Sequence, residues 1–322
     1  MIVIIEDEVF AAPSNSLDLL GVFQLGATGR HRVQTDPLYP SPGSKLERWL
    51  QRLADESLRD EVKLALEIGL EQDARGLPAD ISIRITADRQ PRWTSSPPRL
   101  PLKTAHSFLQ EKLRLLVENR HNDGAFIRAV APGSVREELS KALEDGWIEI
   151  EHGGGMDMRT RIETASRQEA MRLWALSDSD AREPGRPSKL QEALGRLCAH
   201  RGVAHHLLQR RASENYLPPQ ALEAWVYSGP KSTHDSRRDT VKTFARLKPK
   251  QRHHYNMKRG FNGDRPNIPS LFDDCSQHPH LQSGFGENIA VRFHQPIQEE
   301  WLRKDGQQPE TLAMVQSILR RL

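Results

Sequence analysis

The chain is poor in the residues that build disulfide-rich, zinc-finger and membrane proteins. Of its 322 residues only two are cysteine, Cys198 and Cys275, which is too few for a disulfide framework or a CxxC zinc site, so both are expected to be reduced thiols. No apolar run reaches about 18 residues, and the opening MIVIIEDEVF lacks the basic start and small-residue cleavage site of a signal peptide. These absences predict a cytoplasmic protein with no membrane partner.

The chain also has little excess charge and no P-loop for binding nucleoside triphosphates. Without a G-x-x-x-x-G-K-[ST] motif, any ATP-driven step would belong to a partner. The formal net charge is only +3, but the basic residues are unevenly spread. They crowd one late stretch, with Arg210, Arg211, Arg237, Arg238, Lys242, Arg246, Lys248, Lys250, Arg252, Lys258 and Arg259. This stretch is either a surface that neutralises phosphates or a solvated basic face.

Apolar periodicity predicts a small N-terminal α/β domain of unknown role over residues 1–105. MIVIIEDEVF is a strand candidate, residues 44–74 carry leucines at helical spacing, and DISIRITAD at 80–88 alternates like a half-buried strand. The segment PRWTSSPPRLPL at 91–102 is predicted to continue neither element, because its prolines remove backbone donors and fix φ. We therefore expect a domain boundary there.

Beyond the boundary, strands and helices alternate. The predicted strands are LRLLVEN (113–119), WIEIE (147–151), RLWALSDSD (172–180) and VAHHLLQRR (203–211). The predicted helices are GAFIRAVA capped by Asn122 or Asp123, a helix opened by a Ser134–Glu137 capping box and ended by Gly146, MRTRIETASRQEAM after the turn Gly153 to Gly155, and a helix opened by Pro187 and Ser188. This alternation predicts a parallel sheet covered by helices on both faces.

Acidic residues close two of these strands. Glu118 ends the first, and Asp178 and Asp180 end the third, where the intervening Ser179 allows both aspartates to point the same way. Ligand sites in parallel sheets form at the carboxyl ends of the strands. Converging carboxylates repel each other unless a cation neutralises them, and an all-oxygen set prefers Mg²⁺ or Mn²⁺. The alternative is that these acids belong to an ordinary turn at a strand end and bind no ligand.

Three segments resemble the Toprim family in order and spacing. LLVENRHNDGAFI resembles the first Toprim motif, WIEIEHGGG the second strand and glycine turn, and LWALSDSDA the DxD motif. LLQRRASENYLPPQAL further resembles the R-x-x-E-N-Y-L segment of OLD-family nucleases and of stand-alone Toprim effectors in bacterial anti-phage defence. The resemblance covers about residues 106–217 and implies a four-stranded Toprim core, with residues 218–322 as a basic C-terminal extension packing on it.

The resemblance also implies a set of site residues. Glu118 corresponds to the metal ligand or general acid/base of the first motif, and Asp178 and Asp180 correspond to the ligands of the third. Many Toprim motifs have a second acid four residues after the glutamate. Here Asn122 holds that place and Asp123 the next one, so either the loop is one residue longer or the second acid has been lost. The expected cofactor is Mg²⁺ or Mn²⁺, as two ions that clamp the attacking and leaving oxygens.

The remaining expected site residues lie later in the chain. Glu214 is expected to support the site. Lys258 or Arg210 is expected to offset negative charge on the phosphoryl oxygens. The alternative for Lys258 is that it is an ordinary surface lysine. The residues expected to bind nucleic acid are Arg210, Arg211, Arg237, Arg238 and Lys242. A zinc site is a further alternative, built from His253, His254, His278, His280 and His294 near Cys275, although their spacings match no zinc template.

The function expected from these features is metal-dependent cleavage of DNA or RNA by an anti-phage effector. A separate SMC-like or ABC-type ATPase is an expected partner, and a homodimer is compatible with the sequence. Two alternatives stay open. One is a topoisomerase-like or primase-like Toprim enzyme, although no length remains for a DNA-gate domain and the two cysteines cannot supply a primase zinc module. The other is a non-catalytic scaffold, which has no need of clustered carboxylates.

Overall fold

The computed structural model describes residues 1–38, 42–154 and 156–322. Its strands are β1 Ile2–Glu6, β2 Arg32–Asp36, β3 Ser82–Thr86, β4 Arg99–Pro101, β5 Leu113–Val117, β6 Ile148–His152, β7 Leu173–Ser177 and β8 Ala204–Leu207. Its α-helices are α1 Ser16–Ala27, α2 Lys45–Arg52, α3 Glu56–Ala74, α4 Leu102–Gln110, α5 Arg120–Val130, α6 Gly133–Glu144, α7 Met156–Thr164, α8 Arg167–Met171, α9 Lys189–Arg201, α10 Glu223–Val226, α11 His234–Arg246, α12 Pro249–His254, α13 Glu299–Lys304 and α14 Gln308–Leu319. None of the described helices is both long and apolar enough to cross a membrane.

The strands form two four-stranded sheets with the same strand order. The first sheet runs β2-β1-β3-β4 and the second β6-β5-β7-β8, and every neighbouring pair is parallel. In each sheet the strand that comes first in the chain lies second from one edge. The predicted α/β class, with parallel sheets flanked by helices, is confirmed.

The first sheet includes a strand that the proline-rich segment was not expected to form. Arg99–Pro101 pairs with β3 in the register Arg84 to Arg99, at the edge of the sheet. An edge strand tolerates proline because one side of its backbone needs no ladder hydrogen bonds. The following helix α4 buries Leu102, Phe108 and Leu109 in the core of this sheet, so the first core extends to residue 109.

The second sheet is covered on both faces. Leu115 and Val117 of β5 pack with α5, α6 and the C-terminal region, whereas Leu116 packs with α7, α8 and α9 on the other face. This is the period-two alternation expected of a strand between two helical layers. Residues 218–322 supply much of the first of these layers, including Phe261, Phe285 and the helix α14.

Some element ends differ from the sequence prediction. Helix α5 begins earlier than expected, and its N-cap is Asn119 instead of Asn122 or Asp123. The predicted helix MRTRIETASRQEAM is two helices, because Ser166 forms a capping box that opens α8. Helix α6 begins at Gly133 with Pro132 as its N-cap, so the expected start at a Ser134–Glu137 capping box is wrong. Gly155 of the glycine turn and the side chain of Ser134 lie outside the described residues. Gly146 has the positive φ, +71°, that was expected after α6.

Candidate active site

The carboxyl ends of β5 and β7 and the loop after β8 meet at one edge of the second sheet. Glu118 follows β5 directly, and Asp178 follows β7. After β8, a 3-10 turn contains Ser213 and Glu214. Because β5, β7 and β8 are parallel neighbours, their carboxyl ends place these residues in one crevice.

The first turn of α5 adds Asp123 to this crevice. The side-chain oxygen of Asn119 accepts hydrogen bonds from the backbone N–H groups of His121 and Asn122, both at 3.1 Å. In return, the backbone N–H of Asn119 donates to Asp123 Oδ2 at 2.8 Å. Asp123 is only 9% exposed and experiences the charges of Glu118 and Glu214. Of the two residues at the second acidic position, Asp123 thus carries the carboxylate that faces the other acids.

Ser213, which was not among the residues expected at the site, joins two of the carboxylates. Its hydroxyl donates to Asp123 Oδ1 at 3.3 Å, and its backbone N–H donates to Asp178 Oδ1 at 2.9 Å. Ser213 is 3% exposed, so both hydrogen bonds are protected from water. The only signal for it was its place in the segment RASENYL.

The loop after β8 also positions Lys258. Lys258 Nζ lies 2.9 Å from Glu214 Oε1, and the Glu214 side chain is 5% exposed. The neighbouring Asn215 donates through Nδ2 to the backbone oxygens of Arg252 and Tyr255, each at 2.9 Å. The segment that carries Lys258 is therefore tied to the same loop as the acidic residues.

Burial and mutual repulsion disfavour ionisation of two of the acids. Burial raises the pKa of Asp178 well above its usual value, and the charges of Glu214, Asp123 and Glu118 raise it further, against the hydrogen bond from Ser213. Burial likewise raises the pKa of Asp123 to about 6; backbone hydrogen bonding opposes the shift, and Glu214 and Glu118 add to it. The crevice concentrates negative charge that its hydrogen bonds do not neutralise.

Lys258 is the cation of this crevice. Burial on its own lowers the pKa of Lys258, but the charges of Glu214, Asp178 and Glu118 outweigh it and raise the pKa above the usual lysine value. One ammonium therefore faces the carboxylates of Glu214, Asp178 and Glu118. The arrangement has an excess of negative charge and an all-oxygen donor set.

Asp180 has different neighbours. β7 ends at Ser177, and Asp180 has a left-handed φ of +51°. The strand alternation that was expected to point Asp178 and Asp180 the same way therefore does not extend to Asp180. Its backbone N–H donates to Arg211 O at 2.8 Å, and its Oδ2 accepts from Gln191 at 3.3 Å. Asp180 is exposed in a neighbouring depression, and it is not a leading cause of the Asp178 pKa shift.

The donor groups are not gathered into a finished metal site. In the part of the chain that the structure describes, no three His, Cys, Asp or Glu side chains are arranged to hold a metal ion. This holds for the histidines considered for zinc as well. His254 Nδ1 lies 2.9 Å from Ala181 O, and the ring of His294 stacks on that of His121 at 4.1 Å.

Two arginines expected to contact phosphate are used inside the protein. Arg210 is 4% exposed; its guanidinium donates to the backbone oxygen of Asn215 at 2.8 Å and pairs with Asp305. Arg211 makes a two-point ion pair with the buried Asp264, at 2.6 and 2.7 Å. Both acids lie far along the chain, so sequence spacing gave no signal of the pairing.

Helix α11 carries the other three expected phosphate ligands. The guanidinium of Arg237 lies 4.6 Å from the Trp225 ring and donates to Trp225 O at 3.0 Å. Arg238 is 41% exposed at its side chain and pairs with Asp235. Lys242 is exposed and has no ion-pair partner among the described residues. The solvent-facing cations of this group are therefore Arg238 and Lys242.

The crevice formed by Glu118, Asp123, Asp178, Glu214 and Lys258 is the candidate active site. Its chemistry suits binding a divalent cation and a phosphate group. Comparison with protein-family models, with curated proteins and with solved structures finds no match.

Proposed function

We propose that this protein is a metal-dependent nuclease with a Toprim-type catalytic domain, which cleaves phosphodiester bonds in DNA or RNA. The observation that carries the proposal is the convergence of Glu118, Asp123, Asp178 and Lys258 at the carboxyl edge of a parallel sheet. The order of the acids along the chain and the segment RASENYL, which supplies Ser213 and Glu214 to this edge, support the Toprim resemblance.

The donor set of the crevice fits a hard divalent cation. The repulsion that raises the pKa of Asp178 and Asp123 is the repulsion that a bound cation removes. Glu118, Asp123 and Asp178 would hold the ion; Glu118 is exposed, so its side chain is free to adjust. When bound, Mg²⁺ or Mn²⁺ would activate a water and polarise the phosphate. Asp180 has other neighbours, so we assign one ion to these three residues.

The residues of the chain have separate tasks in this mechanism. Lys258 faces the place of the phosphate and offsets the negative charge that develops on the phosphoryl oxygens. Glu214 holds the Lys258 ammonium 2.9 Å from its carboxylate and so fixes the direction of that charge. Ser213 donates to Asp123 and Asp178 and fixes their orientation. Glu118, the exposed acid, would accept a proton from the attacking water through the carboxylate oxygen that does not hold the ion.

The proposal includes the biological setting that the sequence suggested. The solvent-facing Arg238 and Lys242 would contact the nucleic-acid backbone. A defence effector of this kind would depend on a separate SMC-like or ABC-type ATPase for any nucleotide-driven step, because the chain has no phosphate-binding loop of its own.

The test is cleavage of single- and double-stranded DNA and RNA by the purified protein with Mg²⁺, with Mn²⁺ and with excess EDTA. We expect cleavage only with metal, and loss of at least about a hundredfold in rate for Asp178→Asn. Asp273→Asn is the matched control, because Asp273 is an exposed aspartate with no ion pair among the described residues. Cleavage that persists in EDTA, or in Asp178→Asn at the wild-type rate, contradicts the mechanism. Metal-independent binding without cleavage would favour the scaffold alternative.

A further inference from the structure

A cleft of about 700 Å³ adjoins the candidate active site. Ser179, which lies between Asp178 and Asp180, lines it, so the cleft and the acidic crevice share the carboxyl end of β7. The other walls are the loop before α9, the end of β8, helix α12 and the start of α14. Its volume is within the usual range for a small-molecule site.

One wall of the cleft has a buried amide with an unused acceptor. Gln307 is 1% exposed, and its Nε2 donates to Tyr216 O at 3.0 Å and to Asp305 Oδ2 at 3.3 Å. These acceptors fix the orientation of the amide. Gln307 Oε1 is buried and has no hydrogen-bond partner in the described part of the protein. A buried acceptor of this kind is uncommon, because it forgoes a hydrogen bond.

A second lining residue offers an uncharged ring. His253 Nε2 is buried and likewise lacks a partner among residues 1–38, 42–154 and 156–322. Burial, followed by the charge of Arg210, lowers the pKa of His253 to about 4, so the imidazole is neutral at neutral pH. The inner groups that await a partner are therefore neutral.

The charges around the cleft are arranged by depth. Arg186 and Lys250 line it and are exposed, which places their positive charges at the rim. Glu310, whose side chain is 8% exposed, lies inside and accepts from the backbone N–H of Gln209 at 2.8 Å. Arg186 pairs with Glu183, and the buried Arg210 of the lining pairs with Asp305, so Lys250 is the lining cation at the rim that pairs with neither. A phosphate is thus attracted at the rim and repelled by the Glu310 carboxylate inside.

We infer that this cleft holds one nucleotide of the bound strand, with its base against Gln307 and His253 and its phosphate between Arg186 and Lys250. A nucleobase is flat, uncharged and rich in hydrogen-bond donors and acceptors, which matches the two neutral groups without a partner, Gln307 Oε1 and His253 Nε2. The inference rests on the proposed nuclease function, since it places the nucleotide beside the scissile phosphate. The nucleic-acid strand would enter the cleft at Ser179, which lies between the cleft and the acidic crevice.

The test blocks the cleft with Ala313→Trp. Ala313 lines the cleft from an exposed position on α14, so the change does not disturb the core. Gln316→Trp, at an exposed position of the same helix that does not line this cleft, is the control. Calorimetry in EDTA would measure binding of the four 5′-nucleoside monophosphates and of inorganic phosphate. Anisotropy and single-turnover cleavage would use a fluorescent oligonucleotide.

We expect wild type and Gln316→Trp to bind mononucleotides alike and more tightly than inorganic phosphate. Ala313→Trp should weaken mononucleotide and oligonucleotide binding by about tenfold or more. Lys250→Gln should weaken binding of nucleotides but not of nucleosides, which gives a second variant at an exposed position. No mononucleotide binding by the wild type, or equal binding of inorganic phosphate, overturns the inference.

The two proposals fail in different ways. If Ala313→Trp leaves oligonucleotide binding and cleavage unchanged, the assignment of the nucleotide to the cleft is wrong, but the proposed nuclease function stands. If Ala313→Trp abolishes mononucleotide binding but the wild type cleaves no nucleic acid with either metal, the nuclease function is wrong. The assignment of the bound nucleotide to a substrate strand is then wrong as well.

Discussion

At the scale of single residues, Asp123 is a carboxylate whose charge costs stability. Its pKa is about 6 in the folded protein, against the ordinary aspartate value of 3.8, so the folded state binds the proton more tightly than the unfolded state does. The penalty is absent below pH 3.8 and grows as the pH rises through 6. At neutral pH it corresponds to about 3 kcal/mol of lost stability.

Asp123→Asn should therefore stabilise the metal-free protein at pH 8 by roughly 2–3 kcal/mol, because asparagine keeps an acceptor for the Asn119 N–H without the charge. The advantage should shrink as the pH falls from 6 to 4. Urea unfolding in EDTA at several pH values measures it, with Asp273→Asn as the control. A destabilised Asp123→Asn at pH 8 would show that the charge is compensated within the protein. Added Mg²⁺ should stabilise the wild type more than Asp123→Asn.

Lys258 tests whether the ammonium in the crevice acts in chemistry or in binding. Lys258→Met should lower the single-turnover cleavage rate by about a hundredfold while the dissociation constant changes little, because the contact is made mainly in the transition state. Lys63→Met changes an exposed lysine on α3 and serves as the control. Unchanged turnover would return Lys258 to an ordinary surface lysine that pairs with Glu214.

At the scale of elements, helix α11 divides the predicted phosphate ligands into two kinds. Arg237 packs on Trp225, whereas Arg238 and Lys242 face solvent. The double variant Arg238→Gln, Lys242→Gln should weaken binding equally for all sequences and reduce the salt dependence by roughly one unit of slope per lost phosphate contact. Anisotropy titrations at several salt concentrations measure both effects.

Arg237→Gln is the informative comparison. Because the Arg237 guanidinium lies over Trp225 and donates to Trp225 O, its loss should lower the free energy of unfolding and leave the salt slope unchanged. If the double variant keeps the affinity and slope of the wild type, the exposed face of α11 is a solvated basic surface and the nucleic acid binds elsewhere.

The helices and strands that follow from local sequence patterns were predicted correctly. The apolar runs of β1, β5, β6 and β7 coincide with strands, and Ser188 caps α9 as its position suggested. The start of α5 and the edge strand β4 were missed. Asn119 competed with two other capping residues nearby, and the pairing of β4 depends on β3, which is distant in the sequence.

At the scale of the whole molecule, the two sheets share a strand order but differ in how their acidic edges are neutralised. At the carboxyl edge of the first sheet, Arg99 lies 3.0 Å from Glu6 and 3.5 Å from Asp88. Arginine thus supplies the positive charge there. At the corresponding edge of the second sheet, Lys258 faces the carboxylates of Glu214, Asp178 and Glu118. The unbalanced charge is the reason for assigning the active site to the second sheet.

Buried contacts join the two sheets. The fully buried Arg172, which precedes β7, lies 4.7 Å from the Phe108 ring of α4 and donates to Phe108 O and Leu109 O at 3.1 and 3.3 Å. His31, which directly precedes β2 of the first sheet, contacts Leu322 O at 2.6 Å. The hydrogen bonds of one half are therefore completed by the other.

We expect the wild type to unfold in one calorimetric transition and Arg172→Met to be less stable by about 2–4 kcal/mol, because two buried carbonyl oxygens lose a charged donor. The transition of the variant should broaden or divide. Arg167→Met, at the first position of α8, is the control for a nearby arginine. Equal stability of Arg172→Met and wild type would show that the halves do not depend on this contact.

The sequence by itself determined the parallel α/β architecture and the places of Glu118 and Asp178 at strand ends, because period-two apolar runs, helix caps and strand-end acids are local properties. Tertiary structure decided which charges meet. Asp264 and Asp305 withdraw Arg211 and Arg210 from the surface, Ser213 bridges two acids, and the left-handed turn at Asp180 separates it from them. Those outcomes depend on contacts between distant segments, which the pattern of one segment cannot encode.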